Sequence, residues 1–200
     1  MGNAAIKAAK VAGYTSIGTV EFLVDKNNNF YFMEMNTRIQ VEHPITEMRT
    51  GIDLVKTQIK IATGEELKIK QKDIKFRGHS IECRLNAENP NKKFMPCPGL
   101  INGLHFPGGN GVRIDSAIYE GYTIPPNYDS MIAKIITFGT NRNEAISKMK
   151  RVLEELVVDG IQTNQDFLFE IIKNHNFIRG NFDTSFIEKE ILKKETDKWL

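Results

Sequence analysis

The segment Met33–His43, which reads MEMNTRIQVEH, constrains the fold more than any other part of the chain because its polar and apolar residues alternate strictly. Successive side chains of an extended strand point to opposite faces, so the polar residues at the even positions would share one face. These residues are Glu34, Asn36, Arg38, Gln40 and Glu42. Pro44 ends the extended segment, and the stretch before it suggests that the regular strand gives way to a loop.

A β-hairpin is predicted here because two β-branched and aromatic segments, Thr19–Val24 and Phe30–Asn36, flank the turn residues DKNNN. A four-residue loop, 26–29, would place Val24 opposite Tyr31. The same register would place Glu21 opposite Glu34, and this second pair bears on function.

Two carboxylates directly across a strand pair repel each other unless something neutralises them. A divalent cation would do so, since Mg²⁺ prefers hard oxygen ligands and typically takes one or two carboxylates plus substrate phosphates. Asn36 lies on the same face as Glu34 and adds an amide oxygen. A solvated strand edge, or pairing of Glu21 and Glu34 with lysines, is the alternative interpretation.

The rest of the chain mixes helical and strand patterns, which predicts an α+β fold. The predicted helices are Asn3–Gly13, one or two within Thr46–Thr63, Asn143–Val158, Asn164–Lys173 with Asn164 available as N-cap, and Thr184–Lys193. The predicted strands beyond the hairpin are Gly78–Asn86, Leu104–Phe106, Val112–Asp115 and Met131–Phe138. A boundary at residue 76 would separate a first domain, 1–76, from a strand-rich domain closed by helices, 77–200.

The composition argues against several classes of protein. A net charge of +2, from 27 basic and 25 acidic residues, gives no case for a nucleic-acid or membrane surface. The apolar runs are too short to span a bilayer. Two cysteines, Cys83 and Cys97, cannot form a disulfide framework, so we expect reduced thiols and a cytoplasmic location. The four histidines are scattered and lack zinc-ligand spacing.

The polar face continues beyond the candidate metal pair with groups suited to phosphoryl transfer. Arg38 presents a planar fork that matches carboxylate-like or phosphate anions and stays charged at any working pH. Glu42 could serve as a base toward a bound anion. His43 could orient Glu42 or cap the turn before Pro44, and both interpretations remain open.

Several motifs resemble known families. Glu21, twelve intervening residues, Glu34 and then Asn36 resemble the metal-binding end of the ATP-grasp superfamily. The motifs that resemble biotin carboxylase are NTRIQVEHPITE (Asn36–Glu47), TGIDLV (Thr50–Val55), ECRLNAENP (Glu82–Pro90), PGGNGVRID (Pro107–Asp115) and PPNYDSMIAKIITFG (Pro125–Gly139). The resemblance covers nearly the whole chain. It implies the C-terminal part of an ATP-grasp domain followed by a biotin carboxylase C-terminal domain.

The resemblance also implies metal and biotin contacts. Glu21 and Glu34 would bind the Mg²⁺ (or Mn²⁺) ions that bridge the ATP phosphates, and Asn36 would share the second ion. Arg84 would stabilise the enolate-like oxygen of biotin while its ureido nitrogen is carboxylated. From the residues alone, an ion pair of Arg84 with Glu82 or Glu88 is the preferred interpretation.

The remaining roles implied by the resemblance concern bicarbonate. Arg38 would hold bicarbonate and the transferring phosphate, and Gln40 and the backbone of Val41 would contact bicarbonate. Glu42 would deprotonate bicarbonate for attack on the γ-phosphate, which gives carboxyphosphate and ADP. The chain would thus belong to an ATP-dependent ligase that forms a C–N bond.

The same resemblance implies a longer parent protein, of which this chain would be the C-terminal half and inactive alone. The expected partners are a biotin carboxyl carrier protein and a carboxyltransferase, as in acetyl-CoA carboxylase of fatty acid biosynthesis or in pyruvate or propionyl-CoA carboxylase. The parent would form a homodimer. Asn110 stands where an aromatic residue is expected near Arg113, which argues against a tight dimer of this chain.

Two alternatives stay open. Carbamoyl phosphate synthetase also phosphorylates bicarbonate and shares the pattern Glu-x-Asn-x-Arg, although QVEHP after Arg38 and the ECR motif argue against it. The second alternative is a non-catalytic folding and dimerisation module whose polar face is vestigial.

Overall fold

The computed structural model describes residues 1–192 of the chain. Its contacts divide the chain into a first unit, Met1–Arg77, and a second unit that starts at Gly78. The elements of the first unit are helix α1 (Gly2–Val11), strands β1 (Thr19–Val24) and β2 (Phe30–Asn36), helices α2 (His43–Thr50) and α3 (Leu54–Ala62), and a 3-10 turn (Gln71–Asp73).

The β1–β2 hairpin is confirmed, but its turn differs from the prediction. Asp25 and Asn29 close a three-residue loop through the Asp25 N–H, which donates to the Asn29 carbonyl at 2.9 Å, and Asn28 adopts a left-handed φ of 63°. Val24 therefore pairs with Phe30, and the predicted pairing with Tyr31 is wrong. The reason is the Asp25 side chain, which accepts backbone N–H groups of the turn.

A bulge in the hairpin then restores the predicted register farther from the turn. The pairing shifts between Glu21 and Phe22, so that Met33 has no Cα partner on β1. Beyond the bulge Glu21 pairs with Glu34, as predicted.

The chain after β2 leaves the extended conformation, and the alternating segment does not form one strand as far as His43. Strand β2 ends at Asn36, residues 37–42 are irregular, and α2 starts at His43. Pro44 lies in the first turn of α2 and is fully buried, a position where its missing N–H and fixed φ favour a helix. Gly51, with φ 72°, ends α2, so the Thr46–Thr63 region does contain two helices.

The second unit is rich in short strands. These are β3 (His79–Asn86), β4 (Glu88–Asn89), β5 (Met95–Pro96), β6 (Gly99–Leu100), β7 (Gly103–His105), β8 (Val112–Ser116), β9 (Thr123–Ile124), β10 (Met131–Gly139) and β11 (Val157–Asp159). Its helices are α4 (Arg142–Glu155), α5 (Gln165–Lys173), α6 (His175–Arg179), a 3-10 turn (Pro90–Lys92) and a π-helix (Ile187–Leu192).

The core of the second unit lies between one sheet and one helix. Strands β3, β10 and β8 form an antiparallel sheet in that order. Alternate residues of β3 are buried, as the predicted strand pattern requires, and they meet the apolar face of α4. The buried residues of these two elements include Ile81, Cys83, Leu85, Ile146, Met149 and Leu153. Full burial of such a side chain contributes about 1.5–3 kcal/mol.

The mixed helix and strand prediction is confirmed, with corrections in the second unit. Helix α4 ends at Glu155 rather than Val158 because Val157–Asp159 pairs with β7. Helix α6 was missed, and the predicted helix Thr184–Lys193 is a π-helix confined to Ile187–Leu192 within the described residues, with Lys193 outside them. Across residues 1–192, no helix is both long and apolar enough to cross a membrane.

Candidate functional site

The hairpin brings Glu21 and Glu34 together, and the side-chain amide of Asn36 donates to both carboxylates. The Asn36 Nδ2 donates to Glu21 Oε1 at 2.8 Å and to Glu34 Oε1 at 3.2 Å. A neutral donor shared by two carboxylates offsets part of their mutual repulsion, which helps the hairpin to tolerate the cross-strand pair. The bulge beside Glu21 is what allows this pairing despite the short turn.

Arg38 and Gln40 extend this contact into a network, although they lie beyond the end of β2. Arg38 Nη1 donates to Gln40 Oε1 at 2.6 Å, and its Nη2 donates to the Asn36 Oδ1 at 3.3 Å. Gln40 Nε2 donates to Glu21 Oε1 at 3.3 Å. The structure thus brings together five sequence-predicted side chains: Glu21, Glu34, Asn36, Arg38 and Gln40.

The donors and acceptors of this network match the requirements of Mg²⁺. The Oε1 atoms of Glu21 and Glu34 both lie within hydrogen-bonding distance of the Asn36 Nδ2, so an ion that displaced this nitrogen would lie between the two carboxylates. Hard oxygen ligands, with one or two carboxylates and the rest of the coordination left to substrate, are typical of Mg²⁺. Among residues 1–192 there is no cluster of three or more His, Cys, Asp and Glu side chains that could hold a metal.

Val41 and Glu42 occupy the turn that leads into α2. Glu42 is exposed and is the N-cap residue of the helix, and its carbonyl accepts the Ile45 N–H at 3.1 Å. A carboxylate at the N-terminus of a helix interacts favourably with the partial positive charge there.

The His43 side chain contacts the Gln40 carbonyl and the side chain of Glu47. Its Nδ1 lies 2.9 Å from the Gln40 carbonyl oxygen, and its Nε2 lies 3.9 Å from Glu47 Oε2. Of the two roles that the sequence left open for this residue, the contact with the Gln40 carbonyl bears out the one in which His43 caps the turn before Pro44.

Arg84 belongs to the second unit and lies on β3. Its side chain is exposed, on the face opposite that of the buried Cys83. Arg84 pairs across the sheet with Lys134 of β10, which in turn pairs with Asp115 of β8. Of the two acidic residues proposed to pair with Arg84, Glu88 accepts hydrogen bonds from Asn86 and Ser130.

The charges next to Arg84 form a compact ion-pair group. Arg113 donates to both Asp115 oxygens, at 2.7 and 2.9 Å, and Lys134 Nζ lies 3.4 Å from Asp115 Oδ2. Burial raises the pKa of Asp115, but the hydrogen bonds and charge of Arg113, together with Lys134, hold the net pKa below its ordinary value. Asp115 therefore stays ionised and neutralises part of the positive charge on this face.

Asn164 supports the end of β3, and the sequence did not predict this contact. Its Oδ1 accepts the Asn86 N–H at 2.9 Å, and its Nδ2 donates to the Arg84 carbonyl at 3.1 Å. Asn164 does occupy the N-cap position of α5, but its side chain makes no capping hydrogen bond. The sequence predicted Asn164 as the N-cap of a helix, whereas its side chain forms its hydrogen bonds with β3.

Comparisons with known proteins agree with this description. Residues 82–189 match the family described as biotin carboxylase C-terminal domain, and residues 1–70 match the carbamoyl-phosphate synthase L chain, ATP binding domain. The chain is similar to biotin carboxylase 1 of Bacillus subtilis, with 60% identity over 94% of this chain and 42% of that protein. It is also similar to the biotin carboxylase of a Nostoc species, with 54% identity over 94% of this chain and 42% of that protein.

Solved structures that are similar to this chain are also biotin carboxylase domains. The biotin carboxylase domain dimer of the Hydrogenobacter thermophilus 2-oxoglutarate carboxylase, in complex with MgADP, ADP and bicarbonate, has a TM-score of 0.91 and 49% identity to this chain. The match covers 94% of this chain and 42% of that one. The chain thus spans about two fifths of the length of the curated relatives it matches.

Proposed function

The chain belongs to the biotin carboxylase family, and from this premise we propose that it contributes the metal-, bicarbonate- and biotin-facing residues of an enzyme that carboxylates biotin with ATP and bicarbonate. The observation that carries the proposal is the continuous hydrogen-bond network from the paired carboxylates Glu21 and Glu34, through Asn36, to Arg38 and Gln40. Candidate metal ligands and candidate anion donors are therefore neighbours, as phosphoryl transfer to an anion requires.

Glu21, Glu34 and Asn36 would hold the divalent cation. When bound, Mg²⁺ or Mn²⁺ would neutralise the charge that develops on the ATP phosphates. The two glutamates come from adjacent strands of one hairpin, so the backbone ladder fixes their separation. The Asn36 amide, whose nitrogen donates to both carboxylates, would turn so that its oxygen faces the ion.

Arg38, Gln40 and the Val41 N–H would hold bicarbonate, and Glu42 would accept its proton. The freed bicarbonate oxygen forms a bond to the γ-phosphorus while the bond from phosphorus to ADP breaks, which gives carboxyphosphate and ADP. Glu42 is exposed, so its proton can pass to solvent afterwards. Arg38 would remain close to the transferred phosphate and stabilise its charge.

Arg84 would act in the second half of the reaction. Its guanidinium is exposed on a strand of the core sheet, where it would stabilise negative charge on the ureido oxygen of biotin. The adjacent nitrogen would give its proton to the phosphate group of carboxyphosphate and attack the carboxyl carbon, while the bond from that carbon to the phosphate oxygen breaks and phosphate leaves. The biotin would be attached to a carrier protein, and a carboxyltransferase would take the carboxyl group onward. We also assign the cytoplasm as location and a homodimer as the state of the complete enzyme.

A chimera tests the proposal. This chain would replace the matching region of the Bacillus subtilis biotin carboxylase 1, to which it is 60% identical. We expect the chimera to cleave ATP in a manner that depends on bicarbonate and free biotin. E42Q should abolish this cleavage because the proton acceptor is lost. The control is E65Q, which changes an exposed glutamate of the first unit away from the hydrogen-bond network.

Different outcomes favour the two other candidates. The match of residues 1–70 to a carbamoyl-phosphate synthase domain supports a synthetase-like activity, for which ammonia rather than biotin would stimulate ATP cleavage. A folded, dimeric chimera that never cleaves ATP would favour the non-catalytic module. Equal activity of E42Q and E65Q would contradict the assigned proton transfer.

A further inference from the structure

The Gln40 carbonyl receives two hydrogen bonds from a single residue, His43. The ring Nδ1 lies 2.9 Å from the carbonyl oxygen, and the His43 backbone N–H donates to the same oxygen at 3.2 Å. A carbonyl oxygen can only accept, so Nδ1 carries the hydrogen and donates it. The two donors together use both lone pairs of the carbonyl, which leaves its direction little freedom.

The direction of that carbonyl determines the direction of the Val41 N–H. The Gln40 carbonyl and the Val41 N–H belong to one planar peptide unit, and none of the described peptide bonds is cis. In a planar trans peptide the N–H points away from the C=O. When His43 holds the carbonyl on one side, the N–H of Val41 is thereby aimed to the opposite side.

His43 is itself held by the two helices that follow. Its side chain is 13% exposed, and Glu47, whose side chain is 9% exposed, places Oε2 3.9 Å from His43 Nε2. Glu47 Oε1 accepts the backbone N–H of Leu54, the first residue of α3, at 2.6 Å. His43, the first residue of α2, therefore connects the irregular loop, 37–42, to α2 and, through the Glu47 side chain, to α3.

We propose that His43 is a positioning residue that orients the Val41 N–H as a donor to the bicarbonate oxyanion, through the Gln40–Val41 peptide. This inference rests on the proposed function, which names the Val41 backbone as a bicarbonate contact. A donor whose direction is fixed before the anion binds requires no reorganisation on binding, and this is the source of its effect on affinity.

A matched pair of variants separates the positioning role from folding. In H43N, the side-chain amide nitrogen can occupy the place of Nδ1 and donate to the Gln40 carbonyl. In H43D, an oxygen occupies that place and repels the carbonyl. Both Asn and Asp are well tolerated at a helix N-terminus, where Asp is further favoured by the helix dipole, so neither variant should unfold α2.

The experiment uses the ¹⁵N-labelled 200-residue chain with Mg²⁺. Residual dipolar couplings report the orientation of the Val41 N–H, and titration with bicarbonate, followed at the same amide, gives the dissociation constant. We expect H43N to retain the wild-type coupling and affinity. We expect H43D to change the coupling and to raise the dissociation constant about tenfold or more, as for loss of a hydrogen bond to a charged group.

The outcomes distinguish this proposal from the proposed function. If H43D keeps the wild-type coupling and affinity, His43 does not position the peptide, and the inference is overturned while the proposed function stands. If wild-type Val41 shows no response to bicarbonate either in this chain or in the chimera that carries it, the proposed function fails, and the bicarbonate role of His43 fails with it. A changed coupling with weakened binding in H43D alone supports the proposal.

Discussion

Replacement of Asn164 by alanine should loosen the end of β3 that carries Arg84. Strand β3 is at the edge of its sheet, and the Asn164 side chain meets that edge through two hydrogen bonds, from the Asn86 N–H at 2.9 Å and to the Arg84 carbonyl at 3.1 Å. Asn164 is only 8% exposed, so water can replace the side chain only in part. N164A therefore removes the Asn164 hydrogen bond from a donor and from an acceptor of β3.

The expected cost follows from these two groups. A buried hydrogen-bonding group left without a partner costs about 1–3 kcal/mol. Two such groups, partly relieved by water that enters the space of the lost amide, give a destabilisation of about 2–4 kcal/mol. The backbone N–H of Asn164, which donates to the Asn86 carbonyl at 3.1 Å, is unchanged and should keep α5 docked on the strand.

Amide hydrogen exchange measures this effect residue by residue. We expect the Asn86 amide to exchange about 30-fold faster or more in N164A, since each 1.4 kcal/mol is a factor of ten. N164D is the matched control, because its carboxylate still accepts the Asn86 N–H and should keep that amide protected. The Ile135 amide at the buried centre of β10 reports global stability. Unchanged exchange at Asn86 in N164A would refute the reasoning.

Three further predictions concern other parts of the second unit. In G111A, a Cβ on a residue with φ 77° would lie 2.4 Å from a backbone oxygen of β10, so urea unfolding should show a loss of about 1–3 kcal/mol. The hydrogen bond from Lys148 holds the pKa of Glu144 at about 2, below its ordinary value of 4.5. The ionised Glu144 therefore stabilises the fold above pH 4.5, and this stabilisation is lost as the pH falls toward 2. In E144Q, the free energy of unfolding should depend less on pH between 4.5 and 2. Burial and the charge of Glu82 raise the pKa of the Cys83 thiol to about 12. Iodoacetamide at about pH 8 should therefore modify Cys97 but not Cys83 in the folded chain, and mass spectrometry of the treated chain measures this.

The hairpin illustrates how far sequence reasoning reaches. The pairing of Glu21 with Glu34 was predicted correctly from alternation and turn residues, yet the turn itself was wrong by one residue. The Asp25 side chain closes a shorter loop, and a bulge that leaves Met33 without a partner compensates for it. A bulge depends on how both strands twist and bond together, which residue patterns along one strand do not record.

The polar network shows a second limit. Residue types and alternation placed Asn36, Arg38 and Gln40 with the glutamates, although only Asn36 lies in the regular strand. The amide of Asn36 donates to both carboxylates, whereas the prediction considered only its oxygen as a metal ligand. Which end of an amide faces which neighbour is decided by the surrounding donors and acceptors in three dimensions.

Long-range pairing accounts for the remaining differences. Leu156 and Val157 continue the apolar period of α4, but Val157 pairs with His105 of β7 and the helix therefore ends earlier. Asn164 was expected to cap a helix and instead bonds to β3, 78 residues away in sequence from its partner Asn86. Local propensity cannot anticipate either contact, because both partners lie far along the chain.

Titration of the 200-residue chain with Mn²⁺, followed by electron paramagnetic resonance, tests the central claim that the carboxylates Glu21 and Glu34 form a divalent-cation site. The wild type should bind Mn²⁺, and Mg²⁺ should compete for the same site. E34A should abolish this binding, because one of the two carboxylate ligands is lost. E65A, which removes an exposed glutamate elsewhere in the first unit, should bind like the wild type. Equal binding by E34A and E65A would contradict the claim, since the polar face of the hairpin would then be only a solvated surface.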